Sequence, residues 1–165
     1  MSDAGLLHPG VRHGLDQIGA AFEVMPCDPD LADTAAFVEA YGVPLDRSAN
    51  TILVASKGAE PTYVACVVLA TTSLDVNRVV RREMGVRKAS FAGADPVRVL
   101  TGMEIGGVTP FGLPDDLPIL VDARVMDASW IVLGGGNRSS KLKLSPDLLR
   151  RLTAVRVIEG LAVTR

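Results

Sequence analysis

Thr51-Ile-Leu-Val-Ala55 and Tyr63-Val-Ala-Cys-Val-Val-Leu-Ala70, with Lys57-Gly58-Ala-Glu-Pro61 between them, carry the strongest fold signal in the chain. Both runs read as strands, and the glycine and proline between them suit a hairpin connection. The second run is apolar on both faces, which is the pattern of a central strand covered from both sides.

Toward the amino terminus, a helix is expected from Pro9 to about Ala20, with Val11, Leu15, Ile18 and Ala21 on one face. Phe22-Glu-Val-Met25 follows as a strand closed by Pro26. A second helix is capped by Asp33 or Thr34, carries Phe37, Val38 and Tyr41 on one face, and stops at Gly42. Toward the carboxyl terminus, Ser73 is expected to cap a helix that buries Leu74, Val76, Val79, Val80 and Met84 and ends at Gly85. A short strand at Lys88-Ala-Ser-Phe91 and a short helix opened by Asp95-Pro96 and running through Leu100 come next. Pro118-Ile-Leu-Val-Asp122 and Trp130-Ile-Val-Leu133 read as strands, and Gly134-Gly-Gly136 bends the chain into Lys141-Leu-Lys-Leu144. Ser145-Pro146 opens a last helix to about Leu152, before a closing strand Val155-Arg-Val-Ile158. Helices and strands mix without strict βαβ alternation, so the expected class is one mixed α+β domain over residues 1–165.

Composition narrows the function classes. A chain of 165 residues with 48% hydrophobic and 22% charged residues is a globular domain with a real core. Only 4% is aromatic and the net charge is −2, which argues against a dedicated non-specific nucleic-acid binder; no DNA partner is expected. Cys27 and Cys66 are far apart and outside any CxxC spacing, as expected of free thiols in a reducing compartment. Met1-Ser-Asp-Ala-Gly5 has no basic leader character and no run is long enough to span a bilayer, so a cytoplasmic protein without a membrane partner is expected.

Ordinary hydrolase chemistry is thin. His8 and His13 are five apart rather than four, and neither an HExxH nor a GxSxG motif is present; no metal or other cofactor is expected. Gly134-Gly-Gly-Asn-Arg-Ser-Ser-Lys141 lacks P-loop spacing and reads as a glycine hairpin, although Asn137, Arg138, Ser139 and Lys141 form a polar loop suited to a phosphate backbone. Arg78, Arg81, Arg82, Arg87 and Lys88 form the densest basic region, read either as a solvated helix face or as a patch that meets a polyanion. Gly102-Met-Glu-Ile-Gly-Gly-Val-Thr-Pro-Phe-Gly112 places four glycines around Pro110. Such a loop either is a structural turn or turns backbone amides toward a carbonyl that gains negative charge.

Read in order, several segments resemble the YbaK/ProX family of aminoacyl-tRNA editing domains, the group that includes prolyl-tRNA synthetase-associated domains. They are Tyr41-Gly-Val-Pro44, Asn50-Thr-Ile-Leu-Val54, the strand from Tyr63, Leu100-Thr-Gly-Met-Glu-Ile-Gly-Gly-Val-Thr-Pro110, Ile119-Leu-Val-Asp122 and Gly135-Gly-Asn-Arg with Leu142-Lys-Leu-Ser-Pro146. The likeness covers about residues 30–152. It implies a mixed, partly barrel-like sheet surrounded by helices. It also implies hydrolysis of the ester on a mischarged tRNA, free-standing or beside a prolyl-tRNA or other synthetase, without a protein nucleophile or metal. By that resemblance Asn50, Gly106, Gly107, Val108, Thr109 and Pro110 form the catalytic set, while Thr51, Gly102, Gly112 and Asp122 contact substrate. Arg78, Arg81, Arg82, Lys88, Arg138 and Lys141 are the candidate tRNA contacts. Asn50 stands where the family usually has lysine, which leaves open a binding module for an aminoacyl group, amino acid or tRNA end. A small-molecule esterase is a third reading.

Overall fold

The structure is a computed structural model that describes residues 5–165; the reading of the first four residues as a non-leader lies outside the described residues. The chain runs α1 (Pro9–Gln17), β1 (Phe22–Pro26), α2 (Thr34–Tyr41), β2 (Ala49–Ser56), β3 (Tyr63–Leu69), β4 (Thr72–Leu74), α3 (Arg81–Met84), β5 (Ala89–Phe91), α4 (Ala94–Thr101), β6 (Ile119–Asp122), α5 (Ala123–Met126), β7 (Ile131–Gly134), β8 (Ser140–Leu144), β9 (Val155–Ile158) and β10 (Ala162–Thr164).

The doubly apolar run is indeed central. β3 lies inside a five-stranded sheet of order β5-β2-β3-β6-β9, antiparallel to β2 and parallel to β6. Its alternation divides it between two cores. Ala65, Val67 and Leu69 face the main core, with Val11 and Leu15 of α1, Ile131 and Leu133 of β7, and Leu148 and Leu149. Val64, Cys66 and Val68 face a second core with Val76, Val79, Val80 and Leu161. Either face exposed would cost a row of buried aliphatic groups, each contributing about 1.5–3 kcal/mol.

A second sheet, β1-β8-β7, is antiparallel throughout. An isolated parallel bridge between Ser48 and Val132 joins it to the start of β2. The two sheets thus curve around the main core without closing into a barrel. α2 covers the outer sheet through Phe37, which packs with Cys27, Ala32, Val43 and Val132.

Four local readings are corrected. α1 ends at Gln17, because Gly19 takes a positive φ of 62° and turns the chain before Ala20. Ser73 does not cap a helix: Thr72–Leu74 pairs with β10, and Asp75 caps the wider turn Val76–Val80 by accepting from the Arg78 amide. α4 starts from Gly93, with Asp95 inside its first turn. The segment Pro146–Arg151 is a 3-10 helix capped by Ser145.

Cys66 has no exposed surface, and burial pushes its thiol up to about 12. It is therefore expected to resist a disulfide reagent at pH 8 and to react only once denaturant opens the sheet, as read by mass spectrometry of the labelled peptide. Cys66→Ser is expected to lower unfolding stability by about 1–3 kcal/mol, because it buries a hydroxyl where a thiol packed.

Candidate active site

The two glycine-rich segments, far apart in sequence, lie backbone against backbone. The Glu104 amide donates to Gly136 O (3.0 Å), and the Gly136 amide donates to Gly107 O (2.7 Å). A Cβ on Gly107 would stand 2.1 Å from Asn137 O, and one on Gly134 would stand 2.5 Å from Gly107 O. Glycine is required at both places because no side chain fits between the two chains.

Side chains then fasten this pair of loops to the segment before α2. Arg138 donates from Nε to Pro29 O (2.9 Å) and from Nη1 to Ile105 O (2.9 Å) and Asp33 Oδ1 (3.2 Å). The Arg138 amide donates to Glu104 Oε2 (2.8 Å). Lys141 Nζ donates to Ala32 O (2.6 Å) and Gly106 O (3.1 Å), and lies 5.2 Å from the centre of the Phe37 ring. Asn137 is tied down by its own bonds to Leu6 O, Ser139 N and Ser140 Oγ.

Between loop, α2 and β2 opens a cavity of about 290 Å³. Asp33 and Thr34 form one side, Ser48 and residues Ala49 to Leu53 of β2 the floor, Phe91 and Ala92 the rim, and Ile105, Gly106 and Val108 the loop side; Leu133, Gly134 and Lys141 close it. Thr34 Oγ1 donates to Asn50 Oδ1, which fixes the Asn50 amide with its nitrogen free of protein acceptors among the described residues. The hydroxyl of Thr51 is buried here and lacks a partner among the described residues. Burial lowers the Lys141 ammonium from its usual value, with Cys27 and Asp33 raising it again and Arg138 lowering it further. The Cys27 thiol is pushed up by the same burial, against the charge of Lys141.

The cavity brings together Asn50, Thr51, Gly106 and Val108 from the expected set, and adds Lys141. Gly107, Thr109 and Pro110 are buried behind it. The Gly107 amide is taken by Glu104 O (2.9 Å), whereas the amides of Gly106, Val108 and Thr109 meet no acceptor among the described residues. Gly102 is the left-handed stop of α4, its carbonyl accepting from His8 Nε2 (3.0 Å). Gly112 packs against Gly10 and Val11 of α1.

Asp122 is elsewhere. It is fully buried at the end of β6, where burial raises its carboxyl and nearby Arg124 and the amides of Arg124, Ala123 and Leu161 pull the other way. Neither oxygen completes a hydrogen bond of good geometry, and the residue does not line the cavity. Of the expected tRNA contacts, Arg138 turns its Nε and Nη1 toward Pro29 O and Ile105 O, and Lys141 turns its ammonium toward Ala32 O and Gly106 O. Arg78, Arg81, Arg82 and Lys88 are exposed, beside a groove lined by Asp75, Asn77 and Ser90 that shares Phe91 with the cavity. Phe91, 62% exposed, and Asp33 and Thr34 at the start of α2 carry no local functional signal; their proximity depends on the sheet order.

Residues 28–152 match the family model described as the aminoacyl-tRNA editing domain. The chain belongs to that family. It is 28% identical over 147 residues to the uncharacterized protein YwhH of Bacillus subtilis, covering 89% of this chain and 91% of that protein. It is 22% identical over 124 residues to EbsC of Enterococcus faecalis, a candidate Cys-tRNA(Pro)/Cys-tRNA(Cys) deacylase, covering 75% and 74% of the two chains. Among solved structures it superimposes on a candidate trans-editing enzyme for prolyl-tRNA synthetase with a TM-score of 0.78 at 22% identity, covering 96% of this chain and 99% of that one. The hypothetical protein APE2540 gives a TM-score of 0.80 at 24% identity, covering 93% and 99%. These likenesses carry the α+β fold.

Gly107→Ala and Gly134→Ala are each expected to cost about 1–3 kcal/mol of stability by overpacking the loop contact. Because both disturb the same contact, the double variant should lose less than the sum of the two. Denaturant unfolding of the four proteins in this cycle measures both expectations.

Proposed function

We propose that the chain is a trans-acting aminoacyl-tRNA deacylase. The observation that supports it best is the cavity bounded by a glycine loop whose Gly106, Val108 and Thr109 amides are uncommitted among the described residues. Water adds to the carbonyl of the ester joining amino acid to ribose. The bond to the ribose oxygen then breaks, that oxygen takes the proton, and free amino acid leaves uncharged tRNA. The loop amides hold the carbonyl and stabilise its developing charge, and the substrate's own ribose hydroxyl assists the water. Asn50 contacts the substrate as a neutral donor, Thr51 adds a hydroxyl, and Pro110 stiffens the loop. A second sieve of this kind is needed because one binding pocket separates similar small side chains by only about 1–3 kcal/mol.

The tRNA would approach across Phe91, the terminal base stacking on its exposed ring and the phosphates meeting Arg78, Arg81, Arg82 and Lys88. Asp122 serves here as support for the β6 end. A free-standing cytoplasmic enzyme, acting alone or beside a prolyl-tRNA or other synthetase, is the setting this reading implies.

Neutral Asn50 at the cavity favours one second reading, a module that binds an aminoacyl group without hydrolysing it. Single-turnover assays on a panel of mischarged tRNAs separate the two. Hydrolysis of at least one tRNA well above its spontaneous rate is expected, and none above it overturns the deacylase. An inert wild type that gains activity as Asn50→Lys supports the binding module. For the approach path, Arg78→Glu with Arg82→Glu should raise KM for tRNA by about tenfold at low salt and less at high salt.

A further inference from the structure

Lys141 is the one basic side chain lining the cavity among the described residues, and only 6% of its surface is exposed. No carboxylate among the described residues pairs with it; the nearest acid, Asp33, is bonded to Arg138. Its partners are two carbonyls, Ala32 O and Gly106 O, and the face of Phe37. An ammonium has three N–H groups, so one is left without a protein acceptor. Burying a charge without an ion pair is costly, and a fold tolerates it where the charge is used. A neutral donor would have sufficed to hold two carbonyls.

We propose that Lys141 is the positioning cation of this cavity. Its ammonium clamps the Gly106 peptide to the segment before α2, and so aligns the loop amides that follow. It also sets a fixed positive charge in the wall facing the position where an ester carbonyl turns negative. Preorganised charge in a water-poor wall stabilises a developing oxyanion far more than the neutral ground state, so the effect falls on kcat. Asn50 on the floor of the same cavity supplies no charge, and Lys141 supplies it from the opposite sheet.

This inference rests on the deacylase reading and is tested separately from it. Lys141→Met removes charge and donors at similar volume, and Lys141→Gln keeps a neutral pair of N–H groups. Both are expected to lower single-turnover kcat by about a hundredfold with KM changed less than threefold, the size seen when an oxyanion donor is lost. A Gln variant with wild-type kcat would reduce the residue to a scaffold and overturn the proposal. An active wild type matched by an active Met variant overturns it too, while a wild type inert on every charged tRNA overturns the deacylase reading and this inference together.

The wild-type pH profile gives a readout that needs no variant to fold. Cys27, Asp33 and Arg138 are the titratable groups around the ammonium, and burial, the largest influence, lowers it. A lysine lowered in the fold binds its proton less tightly there than in the unfolded chain. Its contribution to stability therefore rises with pH through the window between the folded value and the ordinary 10.5. The neutral amine still has two N–H groups for Ala32 O and Gly106 O. Activity above the spontaneous rate should then fall with rising pH in that window while stability does not. Activity that instead holds level across it, with stability rising, counts against the cation.

Discussion

Everything at the site depends on two peptide backbones that touch without side chains between them. Residues 104–107 and 134–137 exchange hydrogen bonds at distances that leave no room for a Cβ at Gly107 or Gly134. That contact fixes where the loop stands relative to β7 and β8, and through them relative to β2. A loop held only at its ends would sample many conformations, and its amides would lose their alignment. Here the loop is pinned in the middle, so the cavity keeps its shape before any ligand arrives.

The two cations of the hairpin finish this arrangement in different ways. Arg138 reaches outward, spreading one planar group across Pro29, Asp33 and Ile105. Lys141 reaches inward and ends in a buried place between two carbonyls and a ring. The difference follows from the chemistry of the two side chains: the guanidinium bonds several acceptors in one plane, and the ammonium concentrates charge at a point. Together they tie the loop to the start of α2, which itself orients Asn50 through Thr34.

Much of the fold was legible from residue pattern. The doubly apolar run at β3, the hairpin with β2 and the Gly42 stop of α2 all follow from local spacing. The Ser73 cap was misread because β4 is made by its distant partner β10, whose short sequence gives no strand signal by itself. At the site, the glycine segments were visible as loops but their mutual contact was not. A requirement for glycine at Gly107 comes from Asn137, about thirty residues further along the chain yet in backbone contact with it, and no local window contains both. Lys141 reads from sequence as part of a polar loop suited to a phosphate backbone for the same reason: its alternating strand neighbours give its face, but only α2 overhead makes that face an interior.

The order of the strands has a consequence for how the protein is made. β1 pairs with β8, and the cavity takes one wall from Asp33 and Thr34 and another from Gly134 and Lys141. A chain emerging from the ribosome therefore holds the early half of the site, with its floor in β2, long before the late half exists. Closing so long a loop is slow compared with pairing neighbours, and it leaves the first sheet edge uncovered meanwhile. The 134–137 bend and β8, which complete the outer sheet, also carry the loop contact and the buried ammonium. Completion of the outer sheet and of the site thus coincide: a truncated chain ending before β8 lacks both the strand that pairs β1 and the Lys141 wall of the cavity.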